Sequence, residues 1–427
     1  MTRLRLFLLI FVVSASVILG IVVASEEHEF STARMHELPV LTEQGEQPAI
    51  LVLTSHWERV PLFQAVRSLS ARRWNTWRHV DLWAFSATDF SPLWVQRLES
   101  IADGQNWSGQ GIIGVENGTI WTLGEQLQAV ALADGRMLSS GAQIAASNPP
   151  LAGKFPRQRE FFSFVSGLSV VAADGTRWRI DPQNFHAQPA TDAKPSAALS
   201  WPMPKNNHYY GFKARSLQIN DRWYGMVNPN EGPRIEQAMR ERGFLRGEIA
   251  EPDYNKGLRY RLYTAQASEA RDSFFNTVHR ILNDIAPVPA SPGFLLGGLL
   301  AAPSAAGHDR VVGIANPYRL LVLHQDRLDA AARQILTCIG LDGKPCWEAK
   351  LGLSTTSRIA LQTRGKPEDW AVLFVGAIHA TDATGTRLGS DHDNVDVLVR
   401  VAMHDGSLRH LNIAALDMRV LAQELAK

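Results

Sequence analysis

The sequence predicts an all-β, propeller-like ectodomain of about seven blades (seven or eight) with short helical insertions, placed after one N-terminal transmembrane helix. Three observations carry that expectation. From Val80 to Ser140 the apolar residues alternate with period two between turn-forming residues, as half-buried strands require. An Asn-Gly and an Asp-Gly punctuate this stretch, and both dipeptides supply positive φ for tight hairpins. Similar hairpins return downstream at Leu168–Ile180, Leu336–Leu351 and Val397–Ile413.

The chain opens with Arg3 and Arg5 before the uncharged run Leu6–Ala24, followed by acidic Glu26, Glu27 and Glu29. Basic residues before an apolar run hold that end in the cytoplasm and send the remainder across. The 19-residue run is long enough to span a bilayer as an anchor. Val22 and Ala24 also fit the small-residue rule for cleavage before Ser25. The expected location is therefore the inner membrane with a periplasmic ectodomain, or the periplasm itself after cleavage following Ala24. Residues 1–24 form the anchor or signal, 25–47 a polar juxtamembrane linker, and 48–427 the β domain.

Ala49–Thr54 reads as a first strand, expected to complete the blade built by the C-terminal strands and close the ring. Phe63–Trp77 reads as a short amphipathic helix or a long loop rich in arginine. In the repeat region the expected elements are Leu82–Ser86, a turn at Thr88–Pro92 and Leu93–Leu98. The second unit gives Gly111–Val115, the turn Glu116-Asn117-Gly118, Thr119–Leu123, Leu127–Leu132 and the turn Ala133-Asp134-Gly135. Asp181–Pro204 is Pro- and Ala-rich and reads as an irregular connection. Helices are expected at Pro233–Arg242, with Pro at its first turn, and at Ser268–Ile285, where Phe274, Val278, Ile281, Leu282 and Ile285 share one face. Val311–His324 reads as two strands about an Asn-Pro turn, and Ala414–Lys427 as an amphipathic tail helix.

The segment Ala84–Trp94 (AFSATDFSPLW) resembles the repeat of PQQ-type, quinoprotein-like β-propellers, Ala-Leu-Asp-Ala-x-Thr-Gly-x-x-x-Trp. Ala129–Ser139 keeps the Gly and has Ser139 at the Trp position. Thr337–Trp347 keeps Gly343 and Trp347, and the copy from Val401 keeps Gly406 with His410 at that position. The copy around Gly175 has Arg179 there and Trp178 one step early. The resemblance implies that the Gly turns the chain between the last two strands of a blade and that the Trp packs between blades. Trp-equivalent positions 94, 139, 179, 347 and 410 are separated by 45, 40, 168 and 63 residues. A blade takes about 40–45 residues, so the long gap holds further blades and insertions.

A quinoprotein dehydrogenase would carry adjacent cysteines and an Asp, Glu and Asn set for PQQ and Ca²⁺. The chain has only Cys338 and Cys346, so no cofactor is predicted; PQQ and Ca²⁺ are disfavoured but kept open. Flanking Asp342-Gly343, the two thiols would face each other across a three-residue hairpin loop. They read as a disulfide, with two free thiols as the alternative. The cluster at 389–396 places Asp391, Asp393 and Asp396 as candidate metal-ligating oxygens. It lacks the Gly and closing Glu of an EF-hand loop, and a solvated hairpin loop explains it more simply. Aromatic His208-Tyr209-Tyr210 and Trp223-Tyr224 could line a ligand groove, with strand packing the simpler account.

No catalytic residue is identified: nucleophile-elbow, zinc-protease and phosphate-loop motifs are all missing. A net charge of +1, from 43 basic and 42 acidic residues, argues against nucleic acid as a partner. The expected function is a non-catalytic extracytoplasmic scaffold of the bacterial envelope. Its expected partners are the membrane, through the N-terminal helix, and an envelope protein or small ligand. The alternative is a quinone-dependent oxidoreductase or another propeller enzyme, since a fold by itself decides no activity.

Overall fold

The computed structural model describes residues 29–44, 47–62, 73–103, 111–164, 167–190, 216–219, 222–227, 259–272, 277–288, 294–301, 319–327, 331–340, 343–362, 370–379 and 395–418. They form two compact units. The first comprises Met1–Ser86, Ser91–Leu199 and Ala414–Lys427; the second comprises Ala87–Phe90 and Ser200–Ile413.

In the first unit, β1 (Glu29–Phe30), β2 (Arg34–Met35) and β3 (Val40–Gln44) each pair with β4 (Gln47–Leu62), which continues antiparallel into β5 (Arg73–Ser86) and β6 (Pro92–Ala102). Residues 29–44 are therefore strands where a linker was expected, because the 16-residue β4 offers them a free ladder. Arg73–Trp77 likewise extends β5 rather than a helix or loop; residues 63–72 lie outside the described residues. A second sheet is a meander of β7 (Gly111–Glu116), β8 (Thr119–Leu123), β9 (Leu127–Ala131) and β10 (Met137–Ser140). Helix α1 (Gly141–Ser147) follows, opened by a capping box between Ser140 and Gln143. A third meander comprises β11 (Phe162–Phe164), β12 (Leu168–Val171), β13 (Arg177–Ile180) and β14 (Ala187–Pro189).

These three sheets stack through alternating faces of the middle one. Ile112, Ile120 and Val130 pack on Leu51, Leu53, Val80 and Leu82 of the first sheet. Their neighbours Ile113, Trp121 and Ala129 pack on Phe162, Leu168, Val170 and Ile180 of the third. Successive side chains of a strand point to opposite faces, so one short sheet serves two cores.

The hairpin signals operate as expected. Asn117 (φ 46°) and Gly118 (φ 79°) turn β7 into β8, and Gly135 (φ 75°) turns β9 into β10. At the latter turn the Ala131 N–H donates to Arg136 O, the Gly135 N–H to Ala131 O and the Arg136 N–H to Asp134 Oδ1. The pattern recurs between β13 and β14, with Asp181, Phe185, His186 and Asn184 in the same roles. Between β5 and β6 the Ser86 N–H donates to Ser91 O. Phe90 (φ 63°) holds the left-handed position where the repeat carries glycine. Phe185 (φ 60°) holds the equivalent position in the 181–186 turn, which reads from sequence as part of an irregular connection. The copy assigned to Gly175 is thus the preceding hairpin, β12–β13, and the last turn of the third sheet is 181–186.

Trp94 of the first sheet lies against the β9–β10 turn. Its Nε1 donates to Leu132 O at 2.9 Å, and a Cβ on Gly135 would stand 2.5 Å from its ring. Ser139, at the Trp position of the second sheet, sends no such ring onward. There Thr119 Oγ1 donates to Pro182 O, the Phe185 ring meets Trp121 edge-on, and Ile144 of α1 and Leu151 fill the seam.

The second unit holds an eight-stranded sheet in the order β15 (Ser216–Ile219), β16 (Arg222–Val227), β17 (Arg259–Asp272), β19 (Phe294–Ala301), β20 (Arg319–Gln325), β21 (Gln334–Gly340) and β22 (Pro345–Lys350), with β18 (Thr277–Pro287) on β17. Ser268–Ile285 is therefore a hairpin, correcting the helix expectation. Ala267 pairs with Leu282, Ser268 with Ile281 and Arg271 with Val278, and this pairing overrides the helical spacing. A four-stranded meander follows: β23 (Thr355–Gln362), β24 (Ala371–Ile378), β25 (Val395–Ala402) and β26 (Leu408–Asn412). Its strands all come from this stretch, so Ala49–Thr54 completes no C-terminal blade and pairs in the first sheet instead.

The Trp dock returns here. Trp347 donates through Nε1 to Met403 O at 3.1 Å, and a Cβ on Gly406 (φ 76°) would stand 2.7 Å from the indole. Around it Leu321, Leu336, Cys338 and Leu351 pack on Val372, Phe374, Val399 and Val401. His410 binds Leu351 O instead of serving as a ring wedge. The expected Cys338–Cys346 disulfide is not formed: the two cysteines are unbridged. A bulge after Cys338 pairs it with Trp347, so Cys338 faces the core and Cys346 faces solvent.

The expected helix at Pro233–Arg242, the turn of Val311–His324 and the tail beyond Met418 lie outside the described residues. So does the N-terminal run Leu6–Ala24; among the described residues no helix is long and apolar enough to cross a membrane.

Two outcomes follow from these contacts. Gly135→Ala should lower stability by about 2 kcal/mol, combining left-handed strain with overpacking against Trp94. Gly118→Ala, whose Cβ meets nothing within 4 Å, should cost about 1 kcal/mol. Denaturant midpoints compare the two. In the native protein a thiol reagent should modify one cysteine, Cys346, and reach Cys338 only on unfolding, as peptide mapping would show.

Candidate functional site

β4, β5 and β6 form an antiparallel ribbon whose two faces differ in chemistry. The register pairs His56 with His79, Thr54 with Asp81, Asp81 with Arg97 and His79 with Ser100, so all of these share one face. Asp81 and His56 are fully buried. Arg97 Nε donates to Asp81 Oδ1 at 2.9 Å, and His56 Nδ1 stands 3.1 Å from Asp81 Oδ2, though not aligned as a hydrogen bond. The His56 and His79 rings lie 5.2 Å apart. Beneath them Trp83 Nε1 donates to Thr54 Oγ1 at 3.0 Å. A buried carboxylate requires such partners, because its desolvation is otherwise uncompensated.

His79 continues this line toward the surface. Its Nε2 is 2.6 Å from Glu58 Oε2, and its Nδ1 is 2.8 Å from Ser100 Oγ. An ionised carboxylate only accepts, which places the ring proton on Nε2 and leaves Nδ1 to accept from the Ser100 hydroxyl. Burial, followed by the positive charge of Arg97, lowers the His79 pKa, against the raising effect of the Glu58 bond. Neutral His79 is the form this geometry uses. Ser100 itself is exposed.

The opposite face borders an open groove of about 430 Å³, lined among the described residues by Glu29, Ser31, Trp57, Arg59, Thr76 and Asp103. Phe30 stands at its edge, its ring packing 6.1 Å from His56. Trp57 is 38% exposed, unusual for so large an apolar ring. Its backbone is clamped to Ser31: the Ser31 N–H donates to Trp57 O, and the Trp57 N–H to Ser31 Oγ, each at 2.8 Å. The Arg78 guanidinium, directly across the ladder, lies 5.6 Å from the Trp57 ring centre.

None of these residues was singled out from sequence. The usable signal was polar interruption of apolar strands: His56 ends AILVLTSH, and His79 and Asp81 interrupt RHVDLWAF. Of the anticipated metal ligands, Asp391 and Asp393 lie outside the described residues, whereas Asp396 sits in β25 opposite Ala377. Among the described residues no cluster of three or more His, Cys, Asp or Glu side chains could hold a metal ion. Trp223 and Tyr224 are buried in β16, the packing account of that aromatic pair; residues 208–210 lie outside the described residues.

No protein-family model matches this chain, and no curated protein matches it in sequence. Among solved structures, the crystal structure of BamB from Moraxella catarrhalis aligns over 90% of this chain and 96% of its own, at 9% identity and a TM-score of 0.15. At that score the likeness carries no argument about fold or function.

Acidification should destabilise the protein through His79. Its folded pKa is depressed, so the stability it contributes is complete above about pH 6.5, the unfolded value. That stability is lost as pH falls toward the folded value, because the unfolded chain takes up the proton first. His324, also lowered by burial, adds to the same slope. Thermal midpoints between pH 7.5 and 5 should fall less steeply for His79→Gln. Asp81→Ala should cost about 3 kcal/mol in denaturant titrations at pH 7, since it strands the Arg97 charge.

Proposed function

We propose that this chain is a non-catalytic binding scaffold with a β-propeller architecture, held in the bacterial envelope outside the cytoplasmic membrane. Support for the propeller comes from the meander sheets, the stacking through both faces of the β7–β10 sheet, and the Trp dock on a neighbouring sheet's last turn in each unit. Support for the location comes from the charged, apolar N-terminus in the sequence. The observation that carries the binding function is the β4–β6 ribbon. It offers an exposed indole among charged groups, on a strand set whose opposite face carries the Asp81–Arg97 ion pair. A surface that binds without reacting needs shape and rigidity, and the ribbon has both.

A second reading, a hydrolase, draws on the Glu58–His79–Ser100 line, whose connectivity is carboxylate, imidazole and hydroxyl. Such a site also needs preorganised donors for an oxyanion, and the strand N–H groups beside Ser100 belong to the β5–β6 ladder.

Two measurements test the scaffold reading. A photo-crosslinker at Arg59 in the full-length membrane-bound protein should give a reproducible adduct that a crosslinker at Met137, exposed on the second sheet, does not. The purified protein should neither reduce an artificial electron acceptor nor react at Ser100 with a fluorophosphonate. Turnover or labelling would replace the scaffold with an enzyme.

A further inference from the structure

We infer that the end of the β4–β5 ribbon rests on the lipid bilayer, with Trp57 and Trp77 seated at the headgroup level. This rests on the envelope location proposed above and names the membrane surface as the partner of the ribbon's exposed indoles. The path of the chain gives the first reason. β1 runs antiparallel to β4, with Glu29 opposite Arg59 and Phe30 opposite Glu58. The chain therefore enters β1 from the side toward which β4 continues to Leu62. From Ala24, where the apolar run ends, to Glu29 is five residues of chain, at most about 18 Å however it runs. Beyond Arg59, β4 extends through Val60–Leu62, paired with Arg73–Asn75, a projection of about 10 Å. An anchor in the bilayer thus holds this end of the ribbon within reach of the headgroups.

The side chains at that end give the second reason. Trp57 is 38% exposed and Trp77 37%. Trp57 stands opposite Arg78 and Trp77 opposite Glu58, so consecutive ladder positions put the two indoles on opposite faces. A partner laid flat on one face would meet one ring, whereas a bilayer met end-on receives both. Indoles favour the headgroup level because the ring is apolar and its N–H finds acceptors there. The charges alongside are mixed, Arg59 and Arg78 with Glu29, Glu58 and Asp103. The rings therefore carry the contact, and it needs no anionic lipid.

The test uses the full-length protein with Cys346→Ser, reconstituted in phosphatidylcholine vesicles that include a lipid bearing a nitroxide near its headgroup. A fluorophore is attached through Asn75→Cys, exposed at the ribbon's end, or through Met137→Cys, exposed on the second sheet. The probe at 75 should be quenched severalfold more than the probe at 137, and equally when phosphatidylglycerol is added. Trp57→Ala combined with Trp77→Ala should remove most of that difference, with matched thermal midpoints showing that the fold is kept. Quenching at 75 no greater than at 137, or unaffected by loss of both indoles, overturns the inference. If quenching is absent while Arg59 crosslinks to a protein, the scaffold reading stands and only the lipid contact falls. If alkaline carbonate strips the protein from the vesicles, the membrane anchor falls and the contact with it.

Discussion

An indole wedged against a neighbouring sheet's last turn is the contact on which the packing of each unit depends. Trp94 on Gly135 and Trp347 on Gly406 are made from the same parts: a ring against the glycine, and Nε1–H on the carbonyl three residues before it. The arrangement satisfies three demands together. It buries a large apolar surface, it gives the indole N–H an acceptor, and it uses a residue without Cβ where the ring comes closest. Backbone flanking a sharp turn offers few apolar contacts of its own, so the ring makes the turn part of the core.

Where the wedge is missing, the seam is closed by other means. Ser139 cannot reach the third sheet, and helix α1 with Leu151 occupies the space a ring would fill. Asn148, at the end of α1, donates to Ile144 O and Phe185 O and accepts from the Ala187 N–H, tying the helix to the last turn. Glu116 adds a second tie, accepting from Trp121 Nε1 and from the Leu168 N–H. Polar bonds of this kind are directional and fix one relative placement of the two sheets, which apolar packing alone would fix less tightly.

Much of the strand plan was legible in the sequence, because Asn117-Gly118, Asp134-Gly135 and Gly406 encode their backbone conformation directly. The turn at Thr88–Pro92 was legible from its polar and Pro residues, whereas the one at Phe185 was missed, since a bulky residue at positive φ is a poor guess at any position. The hairpin of β17 and β18 was hidden by an apolar spacing that fits a helix, and only long-range pairing selects strands there. The cysteine pairing failed on a single bulge, a one-residue shift that turns a side chain to the other face. The buried network was the least legible feature. His56, Asp81 and Arg97 sit on three strands, and only the register of those strands brings them together.

The double-faced sheet of β7–β10 has a consequence for how the chain reaches its native state. Ile120 belongs to one core and Trp121 to the other, and the same division holds for Ile112 with Ile113 and for Val130 with Ala129. A strand that paired one residue out of step would send every one of these side chains to the wrong core. A cavity would open on one side where a clash arose on the other. A mispaired intermediate therefore gains no partial reward from either neighbour, and the sheet acts as a checkpoint on the fidelity of assembly.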